Sequence, residues 1–300
     1  MKNSIVVVGS SNTDMVVIAD HLPAPGETIL ARKFLMNPGG KGANQAVAAA
    51  RLGGNVIFIA RTGADIFGSR SMELFESEGI QSQFITEDPE NPSGIALITV
   101  DKNGENSIVV ASGCNAALSS EDVMNASESI QSAAVLLLQL EIPLTTVETA
   151  IDLAASASVP VILNPAPACL LPASLLSKVF ILTPNESEAE MLTGICIQDK
   201  KSAEEAAQKL LEMGVKNVII TMGADGALFC NADLSVLIKA PVVKAVDTTA
   251  AGDVFNGALA VALAEGKEIM PSIEFACCAA SISVTRLGAQ ASAPCRSELK

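Results

Sequence analysis

Apolar residues in this 300-residue chain come mostly as short continuous runs, separated by stretches in which they recur every three or four positions. Ile5-Val6-Val7-Val8, Val56-Ile57-Phe58-Ile59-Ala60, Ala134 through Leu138, Pro160-Val161-Ile162-Leu163, Val179-Phe180-Ile181-Leu182 and Val218-Ile219-Ile220 carry no polar residue. Such runs predict strands buried on both faces of a parallel sheet. Between them, Phe67–Glu78, Thr145–Ala157 and Ser202–Met213 repeat at helical spacing, and Gly79 and Gly214 close two of these helices. A last helix of small residues is predicted over Ile273–Val284. Strand and helix alternate, so an α/β fold follows: a large, Rossmann-like, mostly parallel sheet flanked by helices.

Four further strands break that rhythm. Met15–Ala19 and Thr28–Phe34 flank the turn-rich Pro23-Ala24-Pro25-Gly26, and Ser93–Val100 with Asn106–Val110 reads as a hairpin. With no helix inside either pair, they predict a small separate β-sheet, which over a ligand cleft would act as a lid. Ala227–Phe229 and Val236–Ile238 read as an antiparallel edge of the main sheet. No repeat, low-complexity tract or linker divides the chain. The expectation is one domain over 1–300, with lid segments at about 13–37 and 93–112.

Composition narrows the function classes. Nineteen basic against 33 acidic residues give a net charge of −14, which argues against nucleic acid or an anionic membrane as the main partner. Seven cysteines without a C-x-x-C pair suit a reducing compartment, and the single His21 leaves no His-rich metal site and no Ser/His triad. The apolar run at the N-terminus is too short for a signal-peptide core, and no run reaches spanning length. A cytoplasmic location is the expectation.

The candidate chemistry concentrates at Val246-Asp247-Thr248-Thr249-Ala250-Ala251-Gly252-Asp253, which leads into the apolar helical pattern Ala258–Leu263. Free N–H groups at a helix N-terminus favour an anion, and Ala250, Ala251 and Gly252 have no bulk to keep a phosphate away. Asp253 is then placed to take a proton from an attacking hydroxyl, although a first-turn acid that merely caps a core helix fits the same residues. Asn12 and Asp14 follow the first strand, where a polyol could bind or where an Asx-turn loop would stand. In Asn37-Pro38-Gly39-Gly40-Lys41-Gly42-Ala43-Asn44 the glycines let backbone approach a ligand while Lys41 and Asn44 supply donors. Lys41 is followed by Gly42, so this is no Walker A sequence, and no G-x-G-x-x-G follows the first strand. Glu141 ends a buried strand on the cleft side. Asn185 and Glu188 open a helix, either as a capping box or facing phosphates and a hydrated Mg²⁺. The strand and glycine turn from Val218 to Gly226 would form a nucleotide wall.

Gly39-Gly40-Lys41-Gly42-Ala43-Asn44 and Asp247-Thr248-Thr249-Ala250-Ala251-Gly252-Asp253 resemble the two signatures of the ribokinase, or PfkB-type, carbohydrate kinases. The resemblance extends over essentially the whole chain, including Asn164-Pro165-Ala166-Pro167 and Thr183-Pro184-Asn185-Glu186. It implies ATP-dependent phosphorylation of D-ribose at the 5-hydroxyl, with Asp253 as base and the N–H groups of Ala250, Ala251 and Gly252 as an anion hole. Asn12, Asp14, Gly40, Lys41, Asn44 and Glu141 would hold the sugar. Asn185, Thr221, Gly223, Asp225, Gly226, Gly252 and Cys277 would line the nucleotide site, with Glu188 organising Mg²⁺ through water. The resemblance also implies a K⁺ site from the side chains of Asp247 and Ser292 and the carbonyls of Thr249, Ser283, Arg286 and Gly288. It further implies a homodimer formed through the lid.

Two alternatives stand beside that reading. A kinase for fructose, a nucleoside or pseudouridine would share the scaffold. The absence of Trp and Tyr leaves only nine Phe for stacking on a base, which disfavours the nucleoside. A non-catalytic sugar or nucleotide sensor would have no use for Asp253 and the small-residue anion hole.

Overall fold

The computed structural model describes residues 3–299. The chain runs through β1 (Ser4–Val8), β2 (Asn12–Ile18), β3 (Lys33–Gly39), β4 (Asn55–Gly63), β5 (Gln81–Asp88), β6 (Gly94–Val100) and β7 (Asn106–Ala111). It continues through β8 (Val135–Leu138), β9 (Val161–Leu163), β10 (Ile181–Leu182), β11 (Asn217–Thr221), β12 (Ala227–Cys230) and β13 (Ser235–Ile238). Nine of these form one sheet in the order β13-β12-β11-β10-β9-β8-β1-β4-β5, parallel from β5 to β11 with β12 and β13 as an antiparallel edge. The other four form a small sheet in the order β3-β2-β6-β7.

Alternation inside the apolar runs explains why helices cover both faces. Val6 and Val8 pack with Leu136, Leu138, Leu163 and the Leu144–Ser156 and Lys200–Glu212 helices. Ile5 and Val7 point the other way, into a core shared with Phe58, Leu137 and the helices Lys41–Arg51, Ala251–Ala264 and Ile269–Ser283. Each fully buried Leu, Ile or Phe contributes roughly 1.5–3 kcal/mol. The helices dock because the strands offer that surface on both sides.

Several expected boundaries move. The second strand of the small sheet is Lys33–Gly39 and not Thr28–Phe34; Thr28-Ile29-Leu30 lies in an exposed stretch, and Asn37-Pro38-Gly39 continues the strand where its composition reads as a turn. Pro38 is tolerated because β3 is an edge strand whose missing N–H has no ladder partner to lose. Asn12 and Asp14 lie within β2, not in a loop. β5 was not legible, since Gln81-Ser82-Gln83-Phe84 offers no apolar run. The last helix starts four residues early, at Ile269, with Pro271 in its first turn where no intrahelical N–H is required.

Candidate active site

The site is assembled at the carboxyl ends of the parallel strands, where successive apolar runs end in polar residues. Ser10 follows β1, Gln139 follows β8, Asn164 follows β9 and Thr183 follows β10, and all four are buried. Two helices on the same face of the sheet bring their N-termini to this row. Gly257 lets them approach: a Cβ there would lie 2.8 Å from the Gln45 carbonyl oxygen and 2.9 Å from the Ala48 Cβ.

Asp253 lies in the first turn of Ala251–Ala264 and is buried. Its Oδ2 accepts from Asn44 Nδ2 at 2.9 Å and its Oδ1 from Gln45 Nε2 at 3.0 Å. Burial pushes its pKa up, while Lys41 and the two amides oppose that shift. Ala250 caps the helix in the left-handed region at φ 59°, a conformation that costs a non-glycine residue roughly 1–2 kcal/mol. The expected set of three free N–H donors is reduced, because the Ala251 N–H donates to the Thr248 carbonyl at 3.2 Å. The Gly252 N–H has no acceptor among the described residues, and Gly252 is exposed.

Near Asp253, where the small sheet meets the large one, polar side chains gather in a cluster. Asn12 is buried and its Oδ1 accepts from Asn115 Nδ2 at 2.7 Å, which leaves its own amide nitrogen for a ligand. Asn115 lies outside both signatures and is not legible as a site residue from sequence. Asn44 Oδ1 is buried without a partner, a state polar atoms rarely keep unless something else binds there. Glu141 Oε2 accepts from Ser10 Oγ at 2.5 Å and from the Lys41 N–H at 3.0 Å. Gly40 has φ 88°, and a Cβ there would meet the Asn12 nitrogen at 2.7 Å, so both the turn and the close approach require glycine.

Electrostatically this cluster holds more acid than base. Burial, then Glu141 and Asp253, push the Asp14 carboxyl up to about 6 against the pull of Lys41. Burial disfavours the Lys41 ammonium, but Asp253, Glu141, Glu188 and Asp14 surround it and raise its pKa above the ordinary value. Among the described residues, none of these acids pairs directly with Lys41. The four carboxylates share one lysine at medium range.

Beside Gly252 opens a cavity of about 570 Å³, lined by Asn185, Thr221, Gly223, Gly226, Gly252 and Cys277 together with Pro241, Val243, Phe255 and Ala280. Its lining is mostly apolar, and its volume suits a nucleotide-sized ligand. Asp225, expected on this wall, does not line it; the one-turn segment Gly223–Asp225 presents Gly223 and Ala224 instead. Asn185 and Glu188 form a reciprocal capping box: Asn185 Oδ1 accepts from the Glu188 N–H at 2.8 Å, and Glu188 Oε2 accepts from the Asn185 N–H at 2.8 Å. Burial raises the Glu188 pKa while the Asn185 N–H and Lys41 lower it.

Below the helix N-terminus, Asp247 faces the chain's last loop. Its Oδ1 accepts from Thr249 N–H at 2.9 Å and Thr249 Oγ1 at 2.6 Å, and its Oδ2 from Gly288 N–H at 2.8 Å. Burial works against its charge, but these donors hold the carboxyl below the usual range. Ser292 Oγ donates to the Ala289 carbonyl and the Ser283 carbonyl accepts from the Arg286 N–H, so both have internal partners. The carbonyls of Thr249, Arg286 and Gly288 accept none among the described residues.

The comparisons agree with this architecture. The pfkB family carbohydrate kinase profile matches residues 2–296. The chain belongs to that family of kinases. It is 45% identical to the ribokinase of Haemophilus influenzae over 298 residues, covering 99% of this chain and 97% of the relative. It is also 39% identical to the deoxyribokinase of Salmonella typhi over 291 residues, covering 97% and 95%. Among solved structures, the Arabidopsis thaliana ribokinase complexed with ribose and ATP superposes with a TM-score of 0.92 at 34% identity, covering 100% of this chain and 98% of that one.

Proposed function

We propose that this protein transfers the γ-phosphoryl group of ATP to the 5-hydroxyl of D-ribose, giving ribose 5-phosphate. The observation that carries the reading is Asp253, a buried carboxylate bonded to Asn44 in the polar cluster and one residue after Gly252, which lines the apolar-walled cavity and keeps a free backbone donor. The sugar hydroxyl oxygen attacks phosphorus as its proton passes to Asp253; the new O–P bond forms, the bond to the β-phosphate bridging oxygen breaks, and ADP leaves. The Gly252 N–H, at the positive end of a 14-residue helix, faces the charge that develops on the transferring group. Ala251 contributes its small side chain, its N–H being engaged.

Asn12 supports ribose over a deoxy sugar. Its oxygen is held by Asn115, so its amide is aimed as a donor, and a 2-deoxy sugar would leave that buried donor unpaired. The likeness to a deoxyribokinase keeps 2-deoxyribose as the second reading. Measuring ADP release over a panel of ribose, 2-deoxyribose, fructose and nucleosides tests both: the reading requires ribose to have the highest kcat/KM.

Mg²⁺ and K⁺ belong to the same proposal. Among the described residues, no group of three or more His, Cys, Asp or Glu side chains could hold a metal, so the protein forms no cage for Mg²⁺. A hydrated ion carried by the triphosphate, with Glu188 as its outer partner, fits that donor set and would offset phosphate charge among the surrounding acids. For K⁺, the carboxylate of Asp247, held ionised, and the unpartnered carbonyls of Thr249, Arg286 and Gly288 fit a large cation. Ser283 and Ser292 would add to that shell after exchanging their present bonds.

The small sheet acts in this reading as a lid and as the contact of a homodimer. Met36, Met15, Leu97 and Val109 stand in register across it; Leu97 is 49% and Val109 63% exposed. Such an open apolar row, beside the wholly exposed edge strand β7, favours a second copy as its cover. Sedimentation at micromolar concentration should give a dimer; a monomer alone would contradict this. No helix is long and apolar enough to cross a membrane among the described residues, and all seven cysteines are unpaired, which supports a cytoplasmic location.

A further inference from the structure

The Asp253 carboxylate is held from two sides. Asn44 grips Oδ2 and carries the unpartnered Oδ1 described above. Gln45 grips Oδ1 from beneath and is fully buried, so it touches no substrate. Its amide orientation is determined twice. An ionised carboxylate can only accept, so the nitrogen must face Asp253, and Gln139 Nε2 donates to the Gln45 oxygen at 2.6 Å. Gln139 spends its donor on this bond and leaves its own Oε1 buried without a partner.

From Gln45 the bonds continue in a chain that returns to the helix N-terminus. Gln45 Nε2 also donates to Asn164 Oδ1 at 3.2 Å, and Asn164 Nδ2 donates to the Thr183 carbonyl at 3.0 Å. Thr183 Oγ1 donates to Asn256 Oδ1 at 2.7 Å, and Asn256 Nδ2 donates to the Gly252 carbonyl at 2.8 Å. The base and the residue with the free N–H are therefore the two ends of one buried polar chain.

We propose that Gln45 is a positioning residue for phosphoryl transfer: it fixes the Oδ1 edge of Asp253 and, through Asn164, Thr183 and Asn256, ties the base to the Gly252 turn. This rests on the reading of Asp253 as the base. The bond from Gln45 favours the ionised carboxylate, as do Lys41 and Asn44, while Glu141, Asp14 and Glu188 face Asp253 with like charge. Losing the bond therefore raises the pKa of a base that works ionised, and the acid limb of the rate profile moves to higher pH.

The test is Gln45→Met, which keeps an unbranched side chain of similar length, assayed with ATP and ribose across pH. The expected result is a kcat lower by about 10- to 100-fold, as misplacement of a reacting group produces, with ribose KM little changed and the acid limb shifted upward. A wild-type kcat and limb would overturn the proposal, and so would a loss carried by KM with the limb unmoved. Should Gln45→Met fail to fold, Gln139→Met decides: it removes the donor to the Gln45 oxygen and leaves that amide held by Asp253 and Asn164 alone, so the same two changes, smaller in size, are expected, whereas unchanged kinetics would refute the role. Asp253→Asn run alongside separates the two claims. A near-wild-type rate in Asp253→Asn overturns the base reading itself, while an inactive Asp253→Asn beside an unaltered Gln45→Met overturns only the role of Gln45.

Discussion

Asn44 donates its side-chain amide to Asp253 across 2.9 Å, joining residues 209 positions apart and linking the helix after the first glycine-rich turn to the helix that carries the carboxylate. One amide thus has two parts to play: its nitrogen holds the carboxylate, and its oxygen, buried and unpaired, is free for the sugar in the proposed reaction. In Asn44→Leu both contacts disappear at nearly constant volume. A hydrogen bond to a charged group contributes about 1.5–3 kcal/mol, so kcat/KM for ribose should fall roughly 10- to 100-fold. Steady-state kinetics would show it; a change confined to nucleotide KM would place Asn44 elsewhere in the account.

Asn12 should act on specificity. Replacing it by Leu removes the donor proposed to meet the sugar, while Asn115 loses one acceptor and keeps both of its bonds to the Ser11 backbone, so ribose turnover should drop by about 100-fold while 2-deoxyribose is affected much less. The ratio of the two kcat/KM values is the informative quantity. If both sugars lose equally, Asn12 supports the pocket and does not read the 2-hydroxyl.

The pH dependence follows from groups whose folded pKa is raised. Asp253 must be ionised to accept a proton, and burial holds its pKa above the ordinary carboxylate value, so the acid limb of kcat/KM should lie above the normal Asp range of about 4. Asp14, pushed up to about 6, disfavours the folded state when ionised. That penalty is absent below its unfolded value of 3.8 and fully present above about 6, so the free protein should gain stability as pH falls from 8 to 5. Thermal melting of Asp14→Asn checks the sign: the variant should melt higher than the parent at pH 8, with a flatter pH dependence, and bind ribose more weakly.

Monovalent cation dependence is the sharpest test of the Asp247 loop. Activity should be several-fold higher in K⁺ than in a bulky organic cation, and Asp247→Ala should abolish that difference while ribose binding by calorimetry persists. Equal rates of the parent protein in both salts would remove K⁺ from the proposal.

How much of this was legible before the fold is a question of which forces act locally. Runs such as Ile5–Val8 and Leu136–Leu138 are apolar because both faces of the strand are buried, so the large sheet can be read directly. β3 and β5 escape such reading because their pairing is set by neighbours in space, which let Pro38 and Gln81-Ser82-Gln83 sit in strands. Asp253 and Gly252 stand out by their small-residue context. Gln45 does not, since its partners Gln139 and Asn164 are 94 and 119 residues away. The available signal is a polar residue ending each apolar run, in Leu138-Gln139, Leu163-Asn164 and Leu182-Thr183. Asp225 is expected at the nucleotide both from the glycine turn that follows Val218–Ile220 and from the resemblance, but the turn brings Gly223, Ala224 and Gly226 to the cavity wall and not Asp225.

One bond is decisive: phosphorus to the 5-oxygen of ribose, made in the proposed reaction with Asp253 as base. Incubating the protein with ATP, Mg²⁺, K⁺ and ribose carbon-labelled at position 5, and following the labelled carbon and phosphorus by NMR, reads that bond directly. The account predicts phosphorus coupling at carbon 5, formed in step with ADP and lost in Asp253→Asn. Phosphate on another carbon, no turnover of ribose beside good turnover of a different sugar, or undiminished product in Asp253→Asn would contradict it.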